Sequence, residues 1–343
     1  MQKVATFGEV MMRLSPPGRQ RFLQASQFDI TFGGAEANVA ASLSRFGVPT
    51  QFVTRLPEND IAEMCLRHLR AHEVGTDHIV HGDGRMGIYF LEIGAAHRGS
   101  NVIYDRSGSA LANIEPGMVD WDEVFNEADW LHWTGITPAV SQGAAEACQE
   151  AVDAAAEADV TVSCDLNYRG KLWDWTNSPS EVMAGLVEKC DLVVANEEDA
   201  DKFFGISAPG ADVEAGEVDA DRYVTVCEEL SGRFPRVDRV AITLRGSLSA
   251  SHNTWTALLW DRGDLVEAPQ YDIEPIVDRV GGGDSFNAGL IYKLKTGCEP
   301  QEALNFAVAA SCLKHSMWGD FNLASREEVE ELAAGPGSGR VSR

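Results

Sequence analysis

The most informative stretch of the sequence is DRVGGGDSFNAG, at residues 278–289. Its three consecutive glycines directly precede a segment with the apolar spacing of a helix. Such a turn points several backbone N–H groups at one place, with the positive end of the helix dipole behind them, so Gly281, Gly282 and Gly283 predict an anion site. Asp284 follows at once. It either caps the helix or accepts a proton from a hydroxyl that attacks a phosphoryl group held by the glycines.

Strand and helix patterns alternate along most of the chain before this stretch. This order predicts an α/β fold, with a doubly wound, mostly parallel sheet that carries helices on both faces and binds ligands at the carboxyl ends of its strands. Apolar runs predict strands at about 4–7, 50–54, 130–133, 160–164, 192–195 and 240–244, and helical periods predict helices at about 35–46, 60–72, 141–158, 179–189, 197–204, 220–234, 283–295 and 299–315.

Two segments depart from this order, at about 10–32 and 85–108. Within them, residues 27–32, 87–91 and 101–104 alternate between apolar and polar side chains, as strands do. They indicate either a small β-sheet lid over the ligand crevice or an ordinary surface hairpin. Residues 249–260 and 264–266 predict an antiparallel edge. We assign residues 1–333 to one domain and expect the Gly- and Ser-rich tail at 334–343 to fray.

The composition excludes several classes of partner. The chain has 343 residues and a formal net charge of −25, with 53 acidic against 28 basic side chains, so neither nucleic acid nor an anionic membrane is an expected partner. The 44% apolar content predicts a folded core. The acidic surface fits either ordinary solubility or adaptation to high salt. Seven cysteines without C-x-x-C spacing, no signal peptide and no long apolar run predict a cytoplasmic protein.

A second glycine motif, GGAEANVA, lies at residues 33–40 and also opens a predicted helix. Together, the two motifs resemble those of the ribokinase/PfkB family of carbohydrate kinases, and the resemblance covers nearly the whole chain. It implies a ribokinase-like fold and an ATP-dependent reaction in which Asp284 is the catalytic base. It also implies that Gly33 and Gly34 let the backbone approach the sugar and that Asn38 binds sugar hydroxyls. P-loop and protein-kinase motifs are absent from the sequence.

Further stretches resemble the kinases of this family that phosphorylate 2-keto-3-deoxygluconate. They lie at residues 8–16, 104–110 and 165–173, and the resemblance implies that Tyr89, Tyr104, Arg106 and Arg169 bind the sugar acid, since guanidinium groups suit a carboxylate. Arg106 has an alternative as a solvated lid charge, and Arg169 as the partner of Asp165 or Asp174. The function predicted is phosphorylation of 2-dehydro-3-deoxy-D-gluconate at its terminal hydroxyl. The alternatives are a neutral-sugar kinase, such as a fructokinase or ribokinase, and a non-catalytic sugar-binding protein.

The nucleotide end shows two departures from the family pattern. Asn196, Glu198 and Asp199 stand where the family has N-x-x-E, which orders Mg²⁺ and the phosphates through water, but the last residue is one methylene shorter, and Glu198 is the substitute. The family motif T-L-G-x-x-G, which lies under the phosphates and ribose, corresponds here to the stretch with Thr243, Arg245 and Gly246. The resemblance implies that these residues bind ATP, together with Gly281 and Gly283. Arg245 replaces the first glycine and either contacts a phosphate or forms an outward salt bridge. Family lids often pair, which implies a homo-oligomer formed through the lid.

Overall fold

The protein is described from a computed structural model that covers residues 1–196, 198–208 and 220–335. Of the tail expected to fray, residues 336–343 lie outside these ranges, as does Glu197, with which a predicted helix was expected to start. In the described part, no helix is both long and apolar enough to cross a membrane.

Fourteen strands and eleven α-helices form within the described ranges. The strands are β1 (Lys3–Phe7), β2 (Met11–Ser15), β3 (Asp29–Gly33), β4 (Thr50–Leu56), β5 (Ile79–His81), β6 (Gly87–Glu92), β7 (Asn101–Asp105), β8 (Ala128–Thr134), β9 (Thr161–Asp165), β10 (Leu192–Asn196), β11 (Arg239–Ser249), β12 (His252–Asp261), β13 (Asp264–Glu267) and β14 (Tyr271–Ile273). The helices are α1 (Ala35–Arg45), α2 (Asp60–Ala71), α3 (Trp121–Glu127), α4 (Ile136–Val140), α5 (Gln142–Glu157), α6 (Pro179–Val187), α7 (Asp199–Phe204), α8 (Ala220–Arg233), α9 (Gly282–Lys295), α10 (Pro300–Lys314) and α11 (Arg326–Ala333).

The main sheet has the order β13-β12-β11-β10-β9-β8-β1-β4-β5, and β14 pairs with β12. Neighbours from β11 to β5 are parallel, and β12 to β14 form the antiparallel edge. The predicted α/β fold with a mostly parallel sheet is confirmed, and so is the antiparallel edge. Because parallel strands share one direction, the carboxyl ends of β1, β8, β9 and β10 lie along one rim of the sheet.

Apolar side chains cover both faces of the main sheet. Successive residues of a strand point to opposite faces, so in β10 Val193 and Ala195 belong to one buried cluster, whereas Leu192 and Val194 belong to the other. The first cluster includes side chains from α3, α5, α6 and α7, and the second includes side chains from α1, α9, α10 and α11. Burial on both faces explains why these strands read as continuous apolar runs.

A separate four-stranded sheet, here called the lid sheet, has the order β3-β2-β6-β7. Tyr89 and Leu91 of β6 pack with Met11 of β2 on its buried side, whereas all five residues of β7 are exposed. The chain enters this sheet directly after β1 and again after β5. The small β-sheet predicted from the alternating segments is therefore present, and it stands beside the carboxyl ends of the main sheet's strands.

The structure differs from the sequence-based expectation after Leu244. A loop was expected there, but β11 continues to Ser249 and forms a hairpin with β12, in which Arg245 lies opposite Trp255 and Gly246 opposite Thr254. With no second glycine to turn the chain, this segment stays extended and pairs its backbone along β12. The tip of the hairpin reaches the lid sheet, since the Ala250 N–H donates to the carbonyl of Ala96 at 2.8 Å.

Candidate active site

A cleft of about 610 Å³ lies between the lid sheet and the carboxyl ends of the main sheet's strands. Almost every residue singled out from the sequence lines it. These are Gly33, Gly34, Asn38, Tyr89, Tyr104, Arg106, Arg169, Asn196, Glu198, Asp199, Thr243, Arg245, Gly281, Gly282, Gly283 and Asp284. Gly246 does not line the cleft; it lies within β11. Residues 250 positions apart in the sequence thus share one concave surface.

Gly281, Gly282 and Gly283, here called the glycine turn, begin α9 at the floor of the cleft. Gly281 adopts the left-handed conformation, with φ of +83°, and a Cβ at this position would collide with the backbone carbonyl of Asp320. Gly283 has open space around it. The first N–H groups of a helix have no partner within the helix. At the start of α9 the Gly282 N–H donates to the carbonyl of Arg279 at 3.3 Å, whereas the N–H groups of Gly283 and Asp284 have no hydrogen-bond partner in the described part of the chain and can bind an anion.

Asp284 occupies the first turn of α9 and touches the other glycine motif. The Asn38 side-chain amide donates to its Oδ2 at 2.6 Å. Burial raises the pKa of Asp284 to about 7, with Glu36 and Asp320 raising it further and the hydrogen bond from Asn38 and the charge of Arg169 opposing the rise. A carboxylate with a pKa near neutrality suits a general base.

Two further carboxyl groups in the cleft were missed by reasoning from the sequence. Glu36 is buried and accepts hydrogen bonds from the Thr134 hydroxyl at 2.7 Å and the Thr137 hydroxyl at 2.8 Å. Asp165 accepts from the Asn287 amide at 2.9 Å. Burial raises the pKa of each to about 7. Their positions at a helix start and a strand end were visible signals, but their burial was not.

The sugar end of the cleft is built where the first glycine motif meets the lid sheet. A Cβ on Gly33 would collide with the carboxylate of Asp320, and one on Gly34 with the carbonyl of Glu9, so only glycines let the chains approach. The Tyr89 hydroxyl donates to Asp320. Tyr104, which is 55% exposed, stands 6.0 Å from the Tyr89 ring, centroid to centroid.

The two arginines expected to hold a sugar acid differ in their surroundings. Arg106 is buried and pairs with Glu9, although its Nε and the Glu9 Oε1 have no hydrogen-bond partner. Arg169 is exposed and donates to the carbonyl of Tyr168 at 2.9 Å. Within the described ranges, Arg169 forms no salt bridge with Asp165 or Asp174. Of the two guanidiniums, Arg169 is therefore the one without a salt bridge in the described part of the chain, although its charge acts on Asp165, Asp199 and Asp284.

A buried ion network joins the lid sheet to the glycine turn. Arg13 of β2 is fully buried and donates to Asp278 at 2.5 Å and to Asp320 at 2.7 Å. Asp320 in turn contacts Tyr89 and lies against Gly281, as described above. A buried charge without such partners would be costly. The network therefore links the position of the lid sheet to that of the glycine turn.

The nucleotide end contains the residues of the altered motifs. Both carboxylate oxygens of Asp199 accept backbone N–H groups at 3.0 Å, from Tyr168 and Asn196, and the Asn196 side chain accepts from the N–H groups of Glu198 and Asp199. Thr243 donates weakly to the carbonyl of Ala195. Asn196 and Asp199 thus brace the start of α7. Within the described ranges, no group of three or more His, Cys, Asp or Glu side chains has the geometry to hold a metal.

Comparison with known proteins agrees with this geometry. Residues 1–319 match the pfkB family of carbohydrate kinases. The chain is 33% identical over 340 residues to the 2-dehydro-3-deoxygalactonokinase of Haloferax volcanii, with 98% of each chain covered. It is 26% identical over 338 residues to the 2-dehydro-3-deoxygluconokinase of Thermoproteus tenax, with 97% of this chain and 94% of the other covered.

The fold matches solved structures as well. The 2-dehydro-3-deoxygluconokinase of Thermotoga maritima has a TM-score of 0.92 to this chain at 45% identity, covering 98% of this chain and 100% of that one. The family inferred from the two glycine motifs is confirmed. The chain therefore belongs to the PfkB family of carbohydrate kinases.

Proposed function

We propose that this kinase transfers the γ-phosphoryl group of ATP to the terminal hydroxyl of 2-dehydro-3-deoxy-D-gluconate, giving the 6-phosphate. One observation carries the proposal: Asp284, with its pKa near 7 and the glycine turn beside it, shares a single cleft with Arg169, which is exposed and forms no salt bridge within the described ranges. The relatives named for 2-keto-3-deoxy sugar acids support the substrate class. Since they include a galactonokinase and gluconokinases, the galactonate epimer is the natural competitor.

The reaction follows from what these residues can do. Asp284 accepts the proton of the terminal hydroxyl as its oxygen attacks the γ-phosphorus, and the bond between that phosphorus and the bridging oxygen of the β-phosphate breaks to release ADP. Backbone N–H groups of the glycine turn stabilise the charge on the transferring oxygens. Loss of one such donor typically costs about 10²- to 10³-fold in rate. Asn38 orients the base through its 2.6 Å hydrogen bond.

Recognition of a sugar acid requires a cation at the far end of the substrate. Arg169 is exposed to the cleft and can form two parallel hydrogen bonds with a carboxylate. Arg106 can add to it through its unpartnered Nε. Tyr89 and Tyr104 flank the sugar from the lid sheet, and Gly33 and Gly34 let the backbone approach its hydroxyls.

The residues at the nucleotide end fit a divalent cation held mainly by the phosphates of ATP. Mg²⁺ keeps several waters and needs only one or two carboxylates beside substrate phosphates. Glu198 is exposed at the cleft and can serve through water, whereas Asp199 already uses both oxygens on backbone N–H groups. When bound, the ion neutralises phosphate charge. Thr243 and Arg245 face the same end of the cleft.

A neutral-sugar kinase is the second candidate, and one contact favours it. Glu9 neutralises Arg106, which leaves one free guanidinium where a sugar acid would profit from two. A panel of substrates separates the candidates: both 2-keto-3-deoxy acids, fructose and ribose, each with ATP and Mg²⁺, with ADP release as the readout. The proposal expects turnover of the keto acids alone. Turnover confined to fructose or ribose would establish the second candidate instead.

The role of the base is tested by Asp284→Asn. We expect this variant to bind the sugar acid, measured by calorimetry, and to lose turnover. The control is Asp201→Asn. Because Asp201 is an acidic residue of α7 outside the cleft, this variant has the same charge change and should keep full activity. An active Asp284→Asn enzyme would exclude Asp284 as the base. Absence of ATP turnover with every sugar would favour a non-catalytic sugar-binding protein.

The lid sheet also supports association of two copies of the chain. Ile30 of β3 is 51% exposed and Ile103 of β7 is 50% exposed, and the strand register places both on the same face of the lid sheet. Exposed apolar side chains on one small sheet are typical of an interface. We expect a dimer by light scattering, and Ile30→Lys with Ile103→Lys should give monomers. A wild-type monomer at micromolar concentration would refute this association.

A further inference from the structure

Arg245 and Arg279 lie at the nucleotide end of the cleft, at its rim and beside the glycine turn. Arg245 is exposed in the middle of β11, and Arg279 is half-buried two residues before the turn. The charge of Arg245 acts on Arg279: burial lowers the pKa of Arg279 from its usual value, the charge of Arg245 lowers it further, and the charge of Asp278 opposes this decrease. Two like charges are therefore gathered in a protein whose net charge is −25.

Neither arginine is neutralised by a carboxylate in the described part of the chain. The guanidinium of Arg279 donates from Nη2 to the backbone carbonyls of Ser249, at 3.3 Å, and Ala250, at 2.9 Å. These bonds hold it against the hairpin tip without cancelling its charge. The carboxylate nearest in sequence, Asp278, is already used by Arg13 and by the N–H groups of Val280 and Gly319.

The positive charge of the two arginines also acts on the side chain of His315. His315 lies against the glycine turn, because a Cβ on Gly282 would meet its ring. Burial lowers the pKa of His315 to about 4, and the charges of Lys314, Arg279 and Arg245 act in the same direction. The positive charge of both arginines therefore acts at the glycine turn, whose N–H groups can bind an anion. Gathering these charges is unfavourable unless a polyanion compensates them.

Resting on the function proposed above, we propose that Arg245 and Arg279 together bind the β- and γ-phosphates of the phosphoryl donor. Arg279 is positioned by the hairpin carbonyls, and Arg245 lines the same end of the cleft from β11. Arg245 stands where the family motif has a glycine, and in this proposal its side chain binds a phosphate. The hairpin that follows it provides the carbonyls that hold Arg279. The arginine pair supplies positive charge in a cleft where both carboxylate oxygens of Asp199 already accept backbone N–H groups.

The test compares Arg245→Gln, Arg279→Gln and the double variant with Arg262→Gln. Arg262 pairs with Asp238 at the far end of the β12 strand, so it carries the same charge change away from the cleft. We measure KM for ATP and for the sugar acid, the affinities for ATP, ADP and AMP by calorimetry, and the melting temperature without ligand. Hydrogen bonds to charged groups contribute about 1.5–3 kcal/mol, so each cleft variant should weaken ATP about 10- to 100-fold.

The pattern of the losses identifies the role. ATP and ADP should weaken while AMP and the sugar acid do not, and the double variant should lose less than the product of the single losses because both arginines share one anion. Without ligand, Arg245→Gln should melt no lower than the wild type, since it relieves repulsion. Equal losses for ATP, ADP and AMP, or unchanged ATP affinity, would overturn the proposal. If the wild-type enzyme neither binds nor turns over ATP, the proposed function itself fails.

Discussion

Replacing Glu36 with Gln should move the pH dependence of the reaction toward acid. The charge of Glu36 is among the causes that raise the pKa of Asp284 to about 7, and Gln keeps an oxygen that can accept the hydrogen bonds of Thr134 and Thr137. Because the base must be ionised to accept a proton, kcat/KM of the wild-type enzyme should rise with pH and level off above the pKa. Removal of one neighbouring negative charge favours ionisation of Asp284 at lower pH.

The size of the effect follows from the ionised fraction. With a pKa of about 7, about one tenth of Asp284 is ionised at pH 6 and about nine tenths at pH 8. A neighbouring charge worth about 1.4 kcal/mol corresponds to about one pH unit. Glu36 has a pKa of about 7 itself, so about nine tenths of it is protonated and uncharged at pH 6, and it acts as a charge on Asp284 only from about pH 7 upward. We therefore expect the gain in kcat/KM to be largest near pH 7, where it reaches at most about twofold because about half of the wild-type base is already ionised, and to be absent at pH 6 and pH 8.

The assay is a pH series of kcat/KM with a coupled ADP readout, in buffers of constant ionic strength. Glu92→Gln is the matched control, because Glu92 is a buried carboxylate of the lid sheet that pairs with Arg98. Asn38→Ala should move the limb the opposite way, since its hydrogen bond lowers the pKa of Asp284. The reasoning would be refuted by a flat wild-type profile down to pH 5, or by equal shifts in Glu36→Gln and Glu92→Gln.

Three further predictions concern the turn, the acid end and stability. Gly281→Ala should lower the free energy of unfolding in urea by at least ~1 kcal/mol, because φ is +83° at Gly281. Gly283→Ala should unfold like the wild type, because there is open space around Gly283. Equal losses of stability in the two variants would contradict this. Arg169→Leu should reduce kcat/KM for the keto acid about 10- to 100-fold more than for any neutral sugar that is accepted, and a uniform loss would argue against carboxylate recognition. Glu36, Asp165 and Asp284 have folded-state pKa values of about 7, above their usual values of 4.5, 3.8 and 3.8. The folded state therefore binds more protons between about pH 4 and 7, and their contribution to stability, complete below pH 4, is lost as pH rises through 7. The melting temperature should fall over this range in the wild type and fall less in Glu36→Gln, and identical slopes would count against this account.

Local pattern was enough to predict most of the strands and helices and the glycine turn. The observed strand β1 extends the predicted one by a single residue, and β10 does the same, because a buried parallel strand is a short apolar run. Asp284 and Asn38 could be singled out because each lies within a short motif that opens a helix. Their mutual hydrogen bond, across 246 positions, was not predictable from either motif.

The prediction failed where pairing partners decided the structure. Arg245 and Gly246 were expected in a phosphate loop, but the extended segment that contains them pairs with β12 along the whole hairpin. Nothing in the local sequence states which neighbour an extended segment will meet. The same hairpin provides the carbonyls that position Arg279, a residue that drew no attention in the sequence.

By itself, the sequence determined the layered α/β fold, the lid sheet and the glycine turn, because backbone geometry and hydrophobic period act over a few residues. Only the tertiary structure decided how charges are distributed in the cleft. Arg106 is compensated by Glu9, Arg13 is buried between Asp278 and Asp320, and Arg169 forms no salt bridge within the described ranges. Burial and the distances between distant segments set these charges, and both arise when the chain crosses from strand to strand and brings its two glycine motifs together.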